Sequence, residues 1–214
     1  MSKVIVGYHA TNKTNVASIL TDNFKRPVKS TENTDKKADK RFYKYWLGNG
    51  VYFFEDIEVA KWWKSCPSTT FGEKESFENK AIIRARIATS DKTWDLRKVD
   101  TWRKTIKAFD EYMDELGKYI TGGNDDQEND DQELNEEIDE ELFQKLRCSF
   151  FNWFNQNYDV DIIIAAFNQS EFAYLDKGCY NIGKLMDIYY TEVQYCVYDI
   201  KCIKHRELAK EDAQ

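Results

Sequence analysis

Gly48-Asn49-Gly50-Val51-Tyr52-Phe53-Phe54-Glu55-Asp56 is the stretch whose reading orders the rest of the chain. Two glycines around an asparagine punctuate the backbone, and four apolar residues then read as a short strand. Period-2 alternation puts Tyr52 and Phe54 on one side of that strand and Phe53 on the other. Glu55 to Lys64 reads as a helix with Val59, Ala60 and Trp63 on one face. Its early acidic residues suit the positive end of a helix dipole. A turn, an aromatic strand and a helix in direct succession imply a sheet with helices laid against it.

Working outward, Lys3 to Tyr8 reads as a short buried strand, and Thr14 to Leu20 as a short helix through Val16, Ile19 and Leu20. Ala81 to Ala88 alternates Ile83, Ala85 and Ile87 against Arg84 and Arg86, a half-buried strand. Asp100 to Ile120 reads as a helix through Trp102, Ile106, Phe109, Met113 and Leu116. Leu142 to Tyr158 reads as another, with Phe143, Leu146, Phe150 and Phe154 on one stripe. Val160 to Phe167 is an apolar strand, Asn168 to Tyr190 a long loop, and Thr191 to Ile200 a final strand. The charged tail, residues 205–214, reads as frayed and flexible. The expected fold is α+β: one domain over residues 1–214, a mixed sheet, and a helical hairpin inserted over residues 97–158.

Charge is unevenly distributed along the 214 residues. The formal net charge is −7, yet Gly122 to Glu141 holds 11 acidic residues and no Lys or Arg. Without that low-complexity linker the chain is mildly basic, at +4. Phe24 to Lys44 carries eight Lys/Arg against three acids and ends in Phe42, Tyr43, Tyr45 and Trp46. It reads as a basic loop, either a solvated surface or a contact for phosphates or nucleic acid. The five cysteines lack C-x-x-C spacing and suggest free thiols in a reducing compartment. With only His9 and His205 as histidines, a metal site is not expected. The N-terminus lacks a signal-peptide core, and no apolar run approaches the roughly 20 residues of a membrane span. The expectation is a cytoplasmic protein with no membrane partner.

Polar residues in three segments stand out as chemistry. Gly7-Tyr8-His9-Ala10-Thr11 ends the first strand with an imidazole beside a small residue. The second segment is the Gly48–Asp56 stretch. The third, Tyr190-Thr191-Glu192-Val193-Gln194-Tyr195-Cys196-Val197, sets Glu192 and Gln194 two apart on a strand, hence on one face. Taken singly, each has an ordinary structural explanation.

In this order and at these separations, the three segments together resemble the ADP-ribosyltransferase superfamily, in the branch shared by diphtheria-type toxins and poly-ADP-ribose polymerases. That family has a His followed by Gly and Ser or Thr on its first strand. A Gly-x-Tyr-Phe-like strand and a late strand with a catalytic Glu follow. The similarity is closer still to bacterial members carrying Gly-x-Gly-x-Tyr-Phe, a strand ending in Asp-Leu, and Gln-x-x-Val followed by Cys-Ile. Here these are Gly48 to Phe53, Trp94-Asp95-Leu96, Gln194 to Val197, and Cys202-Ile203. The match covers about half the chain, residues 4–66, 80–96 and 159–204.

The resemblance implies a split mixed sheet that binds NAD⁺ as co-substrate, with no metal. It implies that His9 holds a ribose hydroxyl, the Ala10 backbone the nicotinamide carboxamide, and Thr11 the adenosine ribose. Gly50 belongs to the NAD⁺-binding set, and Tyr52 would stack on nicotinamide. Gln194 falls where the family keeps its catalytic Glu. The implied activity is mono-ADP-ribosyl transfer to a protein or nucleic acid, in the manner of a toxin or defence effector. Two departures matter: Ala10 replaces the usual Gly, and Gln194 offers a dipole where a carboxylate would stabilise the cationic ribosyl centre. Glu192, one side-chain position earlier, would then orient or deprotonate the acceptor, or partly replace the missing charge. Glu171, Phe172 and Tyr174, in the loop before that strand, are acceptor-recognition candidates. NAD⁺ hydrolysis, or binding of NAD⁺ or ADP-ribose without reaction, are the alternatives.

Overall fold

The computed structural model describes residues 3–26, 46–65, 79–120, 140–168 and 191–210. The basic run beyond Arg26, most of the acidic linker, and Glu171, Phe172 and Tyr174 lie outside them. The elements in chain order are β1 (Val4–Asn12), α1 (Lys13–Asp22), β2 (Val51–Phe54), α2 (Ile57–Ser65), β3 (Lys80–Ala88) and β4 (Thr93–Asp95). They continue with α3 (Val99–Ile120), α4 (Glu140–Tyr158), β5 (Ile162–Asn168), β6 (Thr191–Val197), a 3-10 turn (Ile200–Cys202) and β7 (Ile203–Leu208).

The strands form one seven-stranded mixed sheet, ordered β4-β5-β6-β2-β1-β3-β7. Among the described residues only the β4–β5 pairing is parallel. A parallel neighbour cannot be reached by a tight turn and needs a crossover. Helices α3 and α4 are that crossover, which is why the helical stretch sits in the middle of the chain. The α+β class is therefore as the sequence reads.

Residues directly opposite one another on paired strands share a face. Ile83, Ala85 and Ile87 meet Phe53, Tyr195, Val197 and Ile164 on one face, under Val16, Ile19 and Leu20 of α1. On the other face, α3 and α4 cover Ile163, Ala165 and Cys196 through Ala108, Tyr112, Phe150 and Phe154. Beside them, α2 covers Phe54 and Ile82 through Val59 and Ala60. Strand β5, Ile-Ile-Ile-Ala-Ala-Phe-Asn, is apolar along its length because the sheet centre is covered on both faces.

The sheet is nearly divided in two. β1 pairs with β3 along nine registers, from Val4–Ala88 to Asn12–Lys80. Between β1 and β2, the one register pair among the described residues is Tyr8–Phe54. A seam therefore separates β4-β5-β6-β2 from β1-β3-β7. At its closed end the two strands touch: a Cβ placed on Gly7 would lie 2.7 Å from Phe53 Cβ and 3.2 Å from the Tyr195 ring.

Two expectations need correction. Over residues 205–210, the described part of the tail, the chain is ordered against the sheet. Residues Ile203–Leu208 pair with β3, Arg84 bonds Glu207 at 2.5 Å, and Ala209 is buried. The stripe that marks α3 is buried only in part: Phe109 and Leu116 pack against the core. Thr105, Ala108 and Tyr112 face the core, while Trp102, Ile106 and Met113 are exposed.

Gly7→Ala should destabilise the fold by about 1–3 kcal/mol, because a methyl there must force β1 and β2 apart at their one pair. Urea denaturation measures this, and an unchanged midpoint would contradict the closeness of the two strands.

Candidate functional site

Backbone direction at the seam follows from the bonds on either side. Ala209 N donates to Ile82 O (2.9 Å), so Ile82 directs its main-chain groups toward β7. Ala10 lies opposite Ile82 in a non-bonded pair of the antiparallel ladder. Its N–H and C=O therefore point away from β3, into the seam. On the other bank, Glu55 N donates to Val193 O (3.0 Å), so alternation turns the Tyr52 main chain away from β6 and toward β1.

One side chain spans the gap. His9 Nδ1 donates to the Tyr52 carbonyl (2.7 Å). That bond puts the proton on Nδ1 and leaves Nε2 an acceptor in the neutral ring. Burial lowers the His9 pKa below 6.5, only partly offset by the bond to Tyr52, so the ring is neutral near pH 7. Its ring packs edge-on to Phe24 at 4.9 Å and against Phe53 at 5.7 Å. Thr11 is half-buried two residues on, on the same face.

The Tyr52 side chain lies on the opposite face, half-buried. Its hydroxyl accepts from Leu47 N (2.6 Å) and donates to Gly48 O (2.9 Å). That turn needs Gly48, whose φ is +78°. Burial drives the Tyr52 hydroxyl well above its ordinary range, and likewise that of Tyr198, while Cys196 is pushed up to about 12. Gly50 packs against Cys196 and Val197 of β6, not into the seam.

Glu192 and Gln194 are brought together. They share a face with Tyr52 and Phe54, and the Gln194 amide donates to the Glu192 carboxylate. Glu192 is fully buried, at 0% exposure, and Gln194 nearly so, at 7%. Burial raises the Glu192 pKa above 4.5, against hydrogen bonds from Gln194 and the Trp63 side chain. Trp63 in turn stacks on Phe54 at 5.8 Å. The candidate residues thus divide: His9 and Thr11 on one face, Tyr52, Glu192 and Gln194 on the other, with the Ala10 and Tyr52 backbones between.

Three features escaped the sequence reading. Asn49 is 4% exposed, and neither atom of its side-chain amide has a hydrogen-bond partner. Its own N–H donates to Asn152 Oδ1 (2.8 Å), and its carbonyl accepts from Arg26 Nε (3.3 Å). An asparagine between two glycines at a strand entrance was the available signal. Tyr195 donates to Glu55 (2.7 Å), and Arg97 lies 3.9 Å from Glu55 and 2.8 Å from Asp95. A cleft of about 440 Å³ is lined by Tyr8, Glu55, Asp56, Ile57, Thr191 and Val193. It lies at the closed end of the seam rather than at Ala10, and Glu192, which projects from the other face of β6 than Thr191 and Val193, does not line it.

Among the described residues no cluster of His, Cys, Asp and Glu fits a metal ion, and no helix is long and apolar enough to cross a membrane. Cys148, Cys196 and Cys202 are buried free thiols. No family model, no curated protein and no solved structure matches the chain.

The two shifted groups give opposite pH dependences. Lowered in the fold, His9 contributes stability above pH 6.5 that is lost as pH falls toward its folded value. Glu192, raised, contributes stability below pH 4.5 that is lost as pH rises through its folded value. His9→Asn keeps a donor for the Tyr52 carbonyl but cannot titrate. Relative to the parent, its urea midpoint should stop falling as pH drops below 6.5; an unchanged slope would assign the dependence to another group.

Proposed function

We propose that this chain binds NAD⁺ across the seam and transfers ADP-ribose to a macromolecular acceptor, on an ADP-ribosyltransferase-like sheet. The observation that carries this reading is the interrupted β1–β2 ladder. It leaves the Ala10 N–H and C=O directed at a gap, where the family resemblance puts the nicotinamide carboxamide. A primary amide is complementary to that donor–acceptor edge, much as an added strand would be.

In this reading the neutral His9 accepts a ribose hydroxyl at Nε2. The bond from C1′ to nicotinamide breaks with its electron pair leaving on nicotinamide, and positive charge develops at C1′. Glu192 supplies the negative charge that Gln194 lacks, and the Gln194 amide fixes its direction. The acceptor then attacks C1′ and gives its proton to the Glu192 carboxylate, whose raised pKa makes it the stronger base. Full enclosure of Glu192 favours one other reading, a module that binds NAD⁺ without turnover.

Labelled NAD⁺ incubated with the protein and a cell lysate separates these readings. Transfer predicts nicotinamide release and label on a macromolecule, removed by protease or by nuclease according to acceptor class. Free ADP-ribose alone points to hydrolysis, and binding without nicotinamide release to the module. Glu192→Gln should lower nicotinamide release about 10²–10³-fold. Its thermal midpoint should stay level or rise, since a buried charge is removed. Full activity of that variant would take Glu192 out of the mechanism.

A further inference from the structure

Charge divides across the sheet as its strands do. Residues 3–12, 80–88 and 203–210, which form β1, β3, β7 and their ends, hold seven Lys/Arg and one acid, Glu207. The strands β2, β4, β5 and β6 hold Asp95 and Glu192 and no Lys or Arg. A basic half-sheet thus stands in a chain of net charge −7.

One face of this half-sheet carries the arginines of β3. Val6, Arg86 and His205 lie opposite one another, as do Tyr8, Arg84 and Glu207. Both rows therefore share the face turned away from Ile83, Ala85, Ile87 and α1. Helix α2 covers that face at its Ile82 end. At the other end Val4 is 53% exposed, and Arg86, His205 and Lys204 are exposed as well. Protection of a sheet edge accounts for Lys204, because β7 is the outermost strand. It does not account for Arg84 and Arg86, because β3 lies between β1 and β7. Glu207 holds Arg84 at 2.5 Å, but among the described residues no acid pairs with Arg86, which faces a histidine across the ladder. A sheet arranged for its own stability would set an acid there.

Arg84 and Arg86 stand about 6.8 Å apart along β3, so the cations form a row rather than a point. Val4 and Val6 make an apolar row beside it on β1. We propose that this face binds a single-stranded nucleic acid, with Arg86 and Lys204 on its phosphates and the Val4–Val6 row under its bases. A single strand offers both a line of anions and uncovered flat bases. A duplex hides its bases, and an acidic peptide has none. The inference is independent of the NAD⁺ reading.

Fluorescence anisotropy tests this on the full chain with labelled polyuridine of about 20 nucleotides, longer than one site of roughly 4–16. At about 50 mM salt the strand should bind with a micromolar Kd that weakens as salt is added. Arg86→Gln with Lys204→Gln should weaken binding at least tenfold. It should also lower the slope of log affinity against log salt by about 1.4, at roughly 0.7 per phosphate contact. Arg103→Gln with Lys107→Gln removes the same charge from an exposed stretch of α3 and should leave binding unchanged. Both double variants should keep the parent's thermal midpoint. Glu207→Gln frees Arg84 and should tighten binding several-fold. No binding up to about 100 μM, an equal loss in the α3 variant, or equal affinity for polyglutamate or for phosphatidylserine vesicles would each overturn the proposal.

Discussion

The contact of Gly7 with Phe53, and the single Tyr8–Phe54 pair above it, hold the two halves of the sheet together. Each half is otherwise well paired on its own account. The β1-β3-β7 half has nine registers between its first two strands, and the β5–β6 ladder has seven. A closed ladder at the junction would have satisfied the Ala10 and Tyr52 backbones with each other. An open one would cost unpaired buried backbone groups. His9 is the compromise: its Nδ1 takes the place of a rung and caps the Tyr52 carbonyl, while the Ala10 groups stay directed at the gap.

Burial leaves this region with very few charges. Tyr52, Tyr198 and Cys196 are all pushed toward their neutral forms, and His9 is neutral as well. In such a medium one ionised group acts over a longer range than it would in water. Glu192 on β6 is bonded by Gln194 and Trp63, and burial pushes its carboxyl pKa up as well. The Gln194 amide supports the Glu192 side chain.

Local periodicity carried most of the fold. Ile83, Ala85 and Ile87 against Arg84 and Arg86, and Val16, Ile19 and Leu20 on α1, read correctly because each pattern is set by its own neighbours. β7 was missed because Ile-Lys-His-Arg-Glu-Leu looks like a charged tail. Its partner Arg84, more than 100 positions earlier, is what makes Glu207 a strand residue. The same limit applied to the site. Alternation gave the opposed faces of Tyr52 and Phe53, but the face of His9 relative to Tyr52 depends on register between strands over 40 residues apart. Glu192 and Gln194 had the pattern of a solvent-facing strand; Trp63 of α2 and the strands on either side bury them.

A crossover between two parallel strands needs only one buried helical side, and α3 uses Thr105, Ala108 and Tyr112 for it, with Phe109 and Leu116 at its edge, against Phe150 and Phe154 of α4. Nothing in that packing requires Trp102 or Ile106, which lie roughly a quarter-turn away or more on the helix. Large apolar side chains in excess of what a helix needs lower solubility unless something covers them. The helix rests on the half-sheet that carries Glu192 and Gln194, on the far side of the seam from β1. Helix α2, by contrast, packs on β1 and β3 as well as on β2, so it ties the two banks of the seam together.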